Sequence, residues 1–140
     1  MLKKTILWTS VISILILIFY FSSESAIESS ERSDMFIIFP FLTETLVRKS
    51  AHFIIYMVLA FFVYSLLNEY RQDLDFLNRG KNIYYITILI VLLYSLSDEI
   101  HQYFVPGRAC RSIDILIDVL GGTVGLIPKY FISSFYKKFS

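Results

Sequence analysis

Residues 83–108 read IYYITILIVLLYSLSDEIHQYFVPGR, and the two halves of this stretch ask for opposite surroundings. Residues 83–96 carry no charge, whereas residues 97–108 gather Asp98, Glu99, His101, Gln102 and Arg108. The apolar run alone falls short of the roughly 20 residues that cross a bilayer, for which about 17 is the lower limit. A helix near 82–98 that continues to about Tyr103 supplies the missing length and carries the ionisable cluster on its last turns. Backbone N–H and C=O groups find no partners in hydrocarbon, so a single spanning segment of this kind must be helical.

The rest of the chain asks for the same solvent. Of its 140 residues 56% are hydrophobic and 18% charged, against about 45–50% and about 25% in soluble domains. The mean hydropathy is +0.61. Three further apolar stretches complete the set: 6–21 (ILWTSVISILILIFYF), 50–67 (SAHFIIYMVLAFFVYSLL) and 113–135 (IDILIDVLGGTVGLIPKYFISSF). The fold expected is all-α, an integral membrane bundle of four transmembrane helices near 5–22, 50–67, 82–98 and 113–135. None of these stretches shows the alternation over about 10 residues that marks a barrel strand. No internal repeat or linker divides the chain, which is read as one domain over 1–140. The first run exceeds the usual 7–15 residues of a signal-peptide core, and Glu24 interrupts the small-residue pattern before Ala26, so an uncleaved helix is expected.

Loop charges set the expected orientation. With the N-terminus inside, the inner side holds eight Lys and Arg residues (Lys3, Lys4, Arg71, Arg79, Lys81, Lys129, Lys137, Lys138) and the outer side five (Arg32, Arg48, Lys49, Arg108, Arg111). That balance favours N-in and C-in. Residues 35–42 (MFIIFPFL), too short and Pro-broken to span, are read as interfacial. Net charge is +1, so nothing suggests a nucleic-acid partner. Cys110 is the sole cysteine, which excludes an intramolecular disulfide, and no ligand spacing of the HExxH or CxxC type suggests a metal. Neither a metal nor another cofactor is expected.

Alternating spans bring three helix ends to one membrane face: Arg48, Lys49 and His52 at the start of the second helix, Asp98 to Gln102 at the end of the third, and Arg108, Arg111 and Asp114 at the start of the fourth. His52 and Tyr56 are four apart, as are Asp114 and Asp118, so each pair shares a helix face with its second member about 6 Å deeper. Ionisable groups at such depth are costly and usually face the bundle interior. Asp118 needs a partner, for which Lys49 or His52 is the economical choice. The cluster reads either as a ligand site or as an ion-pair clamp on three helices, and the first reading is favoured. VPGR (105–108) reads as a turn that aims Arg108 back at the cluster. GGTVG (121–125) contains the GxxxG spacing, which in a membrane helix signals close backbone approach.

RKSAHFIIY (48–56), SDEIHQYFVPGR (97–108) and DILIDVLGGTVG (114–125) resemble the signature of the VanZ-like family of small bacterial membrane proteins, over about residues 10–126. The family's founding member is associated with resistance to the glycopeptide teicoplanin. The resemblance places Arg48, Lys49, His52, Tyr56, Asp98, Glu99, His101, Gln102, Arg108 and Asp114 on motif positions. It also marks two departures: Ile55 stands where Glu is common, and Asp118 where Asn is common. It implies a multi-pass protein of the bacterial cell membrane and a phenotype for some members, without a mechanism. The expected partners are membrane lipid and either a lipid-linked wall precursor or a lipoglycopeptide. The ligand-binding set comprises those ten residues and Asp118, in a pocket at the outer interface. The alternative is an interfacial enzyme in which His52 or His101 is the general base, Asp98 or Asp114 orients it, and the Lys and Arg groups stabilise developing charge.

Overall fold

The computed structural model describes residues 2–25, 27–29, 31, 43–74, 76–77, 82–108 and 110–129. Among these there is no strand, and four helices follow in order: α1 (Leu2–Ser22), α2 (Glu44–Glu69), α3 (Asn82–Tyr103) and α4 (Ser112–Gly125). The all-helical class expected from the sequence is what forms.

Three of the four helices are long and apolar enough to cross a membrane: Leu2–Ser22, Thr45–Glu69 and Asn82–Tyr103. The fourth differs from expectation. α4 has 14 residues, about 21 Å at 1.5 Å per residue, against a hydrocarbon thickness of about 30 Å. It ends at Gly125, and the N–H of Leu126 closes the last turn on Thr123 O at 3.2 Å. Residues 127–129 are helical again, whereas 130–135, expected in the fourth span, lie outside the described residues, as does the 35–42 segment.

Capping explains the other boundary shifts. α2 begins six residues before the expected Ser50, because the Thr43 hydroxyl accepts from the Leu46 N–H at 3.3 Å and so satisfies an orphan donor of the first turn. Arg48 and Lys49 thus lie within the helix. α3 runs through to Tyr103, as the length argument requires.

The helices alternate in direction. At one end Lys3 pairs with Glu69 and Lys4 with Asp73 (2.9 Å), and Trp8 Nε1 donates to the Tyr70 hydroxyl at 3.1 Å, which sets the start of α1 beside the end of α2. α1 buries one stripe, Leu7, Val11, Ile14, Ile18 and Ser22, and Tyr94 on α3 donates to its Leu15 carbonyl at 2.7 Å. α1 is thus packed into the bundle.

α2 and α4 run parallel and lie closest together. A Cβ on Gly121 would stand 2.3 Å from Phe53 O, and one on Gly125 2.2 Å from Met57 O, so only glycine permits this approach. Gly122, on the neighbouring face, lies against Val91 of α3. The packing role expected of GGTVG is borne out.

Burial is inverted relative to a water-soluble protein. Ser22, Thr87, Ser95, Asp98, Glu99, Gln102 and Asp118 are buried, while Ile16, Leu93, Ile100 and Leu116 are more than half exposed. Apolar outer faces of this kind match surrounding hydrocarbon, and the polar interior needs internal partners.

Candidate functional site

α1 and α3 end, and α2 and α4 begin, on the same side of the bundle, and the polar interior is concentrated there. Helix periodicity selects which side chains turn inward. Thr87, Val91, Ser95, Asp98 and Gln102 form the buried stripe of α3, and Asp114 and Asp118, one turn apart on α4, face Lys49 and His52 on α2. Lys49 Nζ lies 3.0 Å from Asp114 Oδ1, and His52 Nδ1 lies 3.4 Å from Asp118 Oδ1. The two pairs step inward together because α2 and α4 are parallel. Of the two partners expected for Asp118, His52 is the one supplied.

The turn after α3 closes the site from the loop side. Gly107, with φ of 75°, occupies a conformation that suits glycine, and Arg108 folds back as VPGR suggested. Its Nη1 donates to Gln102 Oε1 at 3.2 Å, its Nε to Glu24 O at 3.1 Å, and its Nη2 to Phe21 O at 3.2 Å. Arg108 thereby caps the Phe21 carbonyl in the last turn of α1 and holds the chain just beyond it. Burial lowers the pKa of Arg108 from the usual arginine value, and the charge of Arg48 acts in the same direction. It still carries its charge at any physiological pH.

Gln102 links the two layers. Its Nε2 donates to Asp98 Oδ2 at 3.0 Å and to Ser22 Oγ at 3.2 Å. Glu99 accepts from the Arg111 backbone N–H at 2.8 Å, and so fixes the entry to α4. Below them Ser95 Oγ donates to Asp118 Oδ2 at 2.6 Å.

Between these groups opens a cavity of about 120 Å³, lined by Thr45, Arg48, Lys49, His52, Glu99, Gln102, Gly107, Arg108, Arg111, Asp114 and Ile117. Seven of the eleven expected ligand-binding residues line it: Arg48, Lys49, His52, Glu99, Gln102, Arg108 and Asp114. Asp98, Tyr56 and Asp118 lie buried and outside that lining. Asp98 and Asp118 each bring a carboxylate oxygen within 4.8 Å of a His52 ring nitrogen and of each other. His101 goes elsewhere. Its ring stacks on Phe19 of α1 at 4.5 Å between centroids, and its Nε2 lies 3.0 Å from Ser23 Oγ.

Ser22, Ser95, Thr45, Arg111 and the carbonyls of Phe21 and Glu24 are part of the site without having been in the expected set. Ser95 was findable, because it sits three residues before Asp98 on the same face. Ser22 was not, because nothing in α1 indicates which residues meet α3.

Among known proteins, no curated protein and no solved structure matches the chain. The model of the VanZ/LLP1 family matches residues 7–133, from the first turns of α1 to beyond α4 and through all three quoted motifs. With the match covering nearly the full length and including every residue around the cavity, the chain belongs to the VanZ/LLP1 family.

Proposed function

We propose that this chain is a multi-pass protein of the bacterial cell membrane, with four spans and both termini inside, that binds a phosphate-bearing headgroup in the cavity at its outer face. The ligand would be a membrane lipid or a lipid-linked envelope precursor. The observation that carries this reading is the lining of the cavity: Arg48, Lys49, Arg108 and Arg111 converge there, where helices end. Guanidinium forks match phosphate geometry, and one of the three, Arg108, is already held by Gln102, Glu24 and Phe21. Loop charges support an outward-facing site. The link with teicoplanin belongs to the proposal alone: a protein that holds a headgroup at the outer surface would alter access to lipid-linked wall precursor.

Mass spectrometry of lipids that co-purify in mild detergent tests this. The wild-type chain is expected to carry a phosphorus-containing lipid near stoichiometry, and the Arg48→Ala/Arg111→Ala variant to lose it. Identical lipid profiles would count against the reading. A second reading, an interfacial enzyme, is favoured by one observation, the placing of His52 between two buried carboxylates. Recovery of a cleaved headgroup instead of a bound one would select it.

A further inference from the structure

His52, Asp98 and Asp118 come from three different helices and meet below the cavity. Their ligand-type atoms all lie within 4.8 Å of one another. Asp118 is fully buried, and its Oδ1 makes no hydrogen bond, nor does the facing His52 Nδ1. At 3.4 Å the two atoms are too far apart for a strong charge-assisted hydrogen bond. Two ligands of one tetrahedral ion, each about 2.0–2.1 Å from it, stand about 3.3 Å apart. The pair therefore has the spacing of two corners of a coordination shell.

We infer that His52, Asp98 and Asp118 form a binding site for a divalent transition-metal ion, of the Zn²⁺ or Mn²⁺ class. One imidazole and two carboxylates suit such ions, and three protein ligands leave a position open. His52 also lines the cavity, so the site adjoins it. Charge points the same way. Two carboxylates with neutral imidazole and a divalent ion sum to zero, whereas the same carboxylates with imidazolium leave one negative charge inside the bundle. The surrounding hydrogen bonds hold the ligands as outer-shell partners do: Gln102 donates to Asp98 Oδ2, and Ser95 donates to Asp118 Oδ2, leaving Asp118 Oδ1 for the ion.

The inference is independent of which headgroup, if any, occupies the cavity. The test uses the full chain in detergent, stripped with chelator and titrated with Zn²⁺ and, separately, Mn²⁺. Bound metal is counted by elemental analysis after desalting, and the Mn²⁺ environment is read by electron paramagnetic resonance. About one ion per chain is expected, with affinity weakened at least about tenfold by Asp118→Asn and by His52→Ala. Cys110→Ser and His101→Ala are expected to retain the ion, since Cys110 is exposed and His101 faces α1. No ion retained by the wild type, or loss of the ion in Cys110→Ser or His101→Ala alone, would overturn the site. The wild-type resonance needs no variant, so a misfolded substitution cannot hide a negative result. Binding of lipid by the stripped protein would separate failure of the metal site from failure of the headgroup reading.

Discussion

Gln102 shows how a single side chain can hold the site together. Its amide nitrogen serves Asp98 and Ser22, and its oxygen accepts from Arg108, so one residue joins α1, α3 and the loop before α4. Replacing it with leucine keeps the bulk and leaves Arg108 and Asp98 each short of a partner in a buried setting. Loss of such partners costs about 1–3 kcal/mol, and Gln102→Leu is expected to lower stability by that amount, read as a drop in the thermal midpoint of the detergent-solubilised protein. Gln102→Glu keeps the acceptor for Arg108 but places a second carboxylate against Asp98 and removes its donor, so it should be destabilising as well. At this scale the sequence was informative where charge demanded compensation. The depth of Asp118 called for a partner, and His52 stands beside it. Serine carries no such demand, which is why Ser22 stayed hidden. His101 misled for a geometric reason: at 100° per residue it lies about 60° round the helix from Asp98, and that offset turns it to α1.

At the scale of the element, the position of α4 is decided by backbone contact. Gly121 and Gly125 lie against the carbonyls of Phe53 and Met57, which cannot move aside, whereas Gly122 meets the Val91 side chain at 2.9 Å. Gly121→Ala and Gly125→Ala should each push α4 off α2 and cost about 1–3 kcal/mol or more, by the usual penalty for overpacking. The displacement would also part Lys49 from Asp114 and His52 from Asp118, so lipid or metal binding should fall with stability. Gly122→Ala is expected to cost less, because the valine can shift by a few tenths of an ångström. A comparison of thermal midpoints for the three variants checks the order. The GxxxG spacing made this contact legible before the partner helix was known. The end of α4 was not legible, because hydropathy continues past Gly125 while the helical hydrogen bonding closes at Leu126. The start of α2 lies before the apolar run for the opposite reason: Glu44, Arg48 and Lys49 interrupt hydropathy, so an apolar-run criterion stops at Ser50 while the Thr43 cap extends the helix outward.

At the scale of the whole molecule, the directions of the helices follow from their contacts, and the side of the membrane follows only from charge. Cys110 lies in the loop between α3 and α4 beside the cavity, and Gln72 lies beyond the other end of α2; both are exposed. They are therefore native and engineered reporters for opposite faces. In the proposed topology, with eight Lys and Arg residues on one side against five on the other, the Gln72 side is inside. The margin is narrow because the outer five include Arg48, Lys49, Arg108 and Arg111, all of which line the cavity. Charges kept for a site carry little information about insertion, and without these four the outer count falls to Arg32 alone, which favours the proposed N-in orientation. In intact cells an impermeant thiol reagent should label Cys110 in the wild type. In a Cys110→Ser/Gln72→Cys variant it should label only after the cells are permeabilised. Labelling of Gln72→Cys in intact cells, with Cys110 protected, would invert the protein. It would also turn the cavity toward the cytoplasm, where neither a glycopeptide nor an outer-leaflet headgroup could reach it.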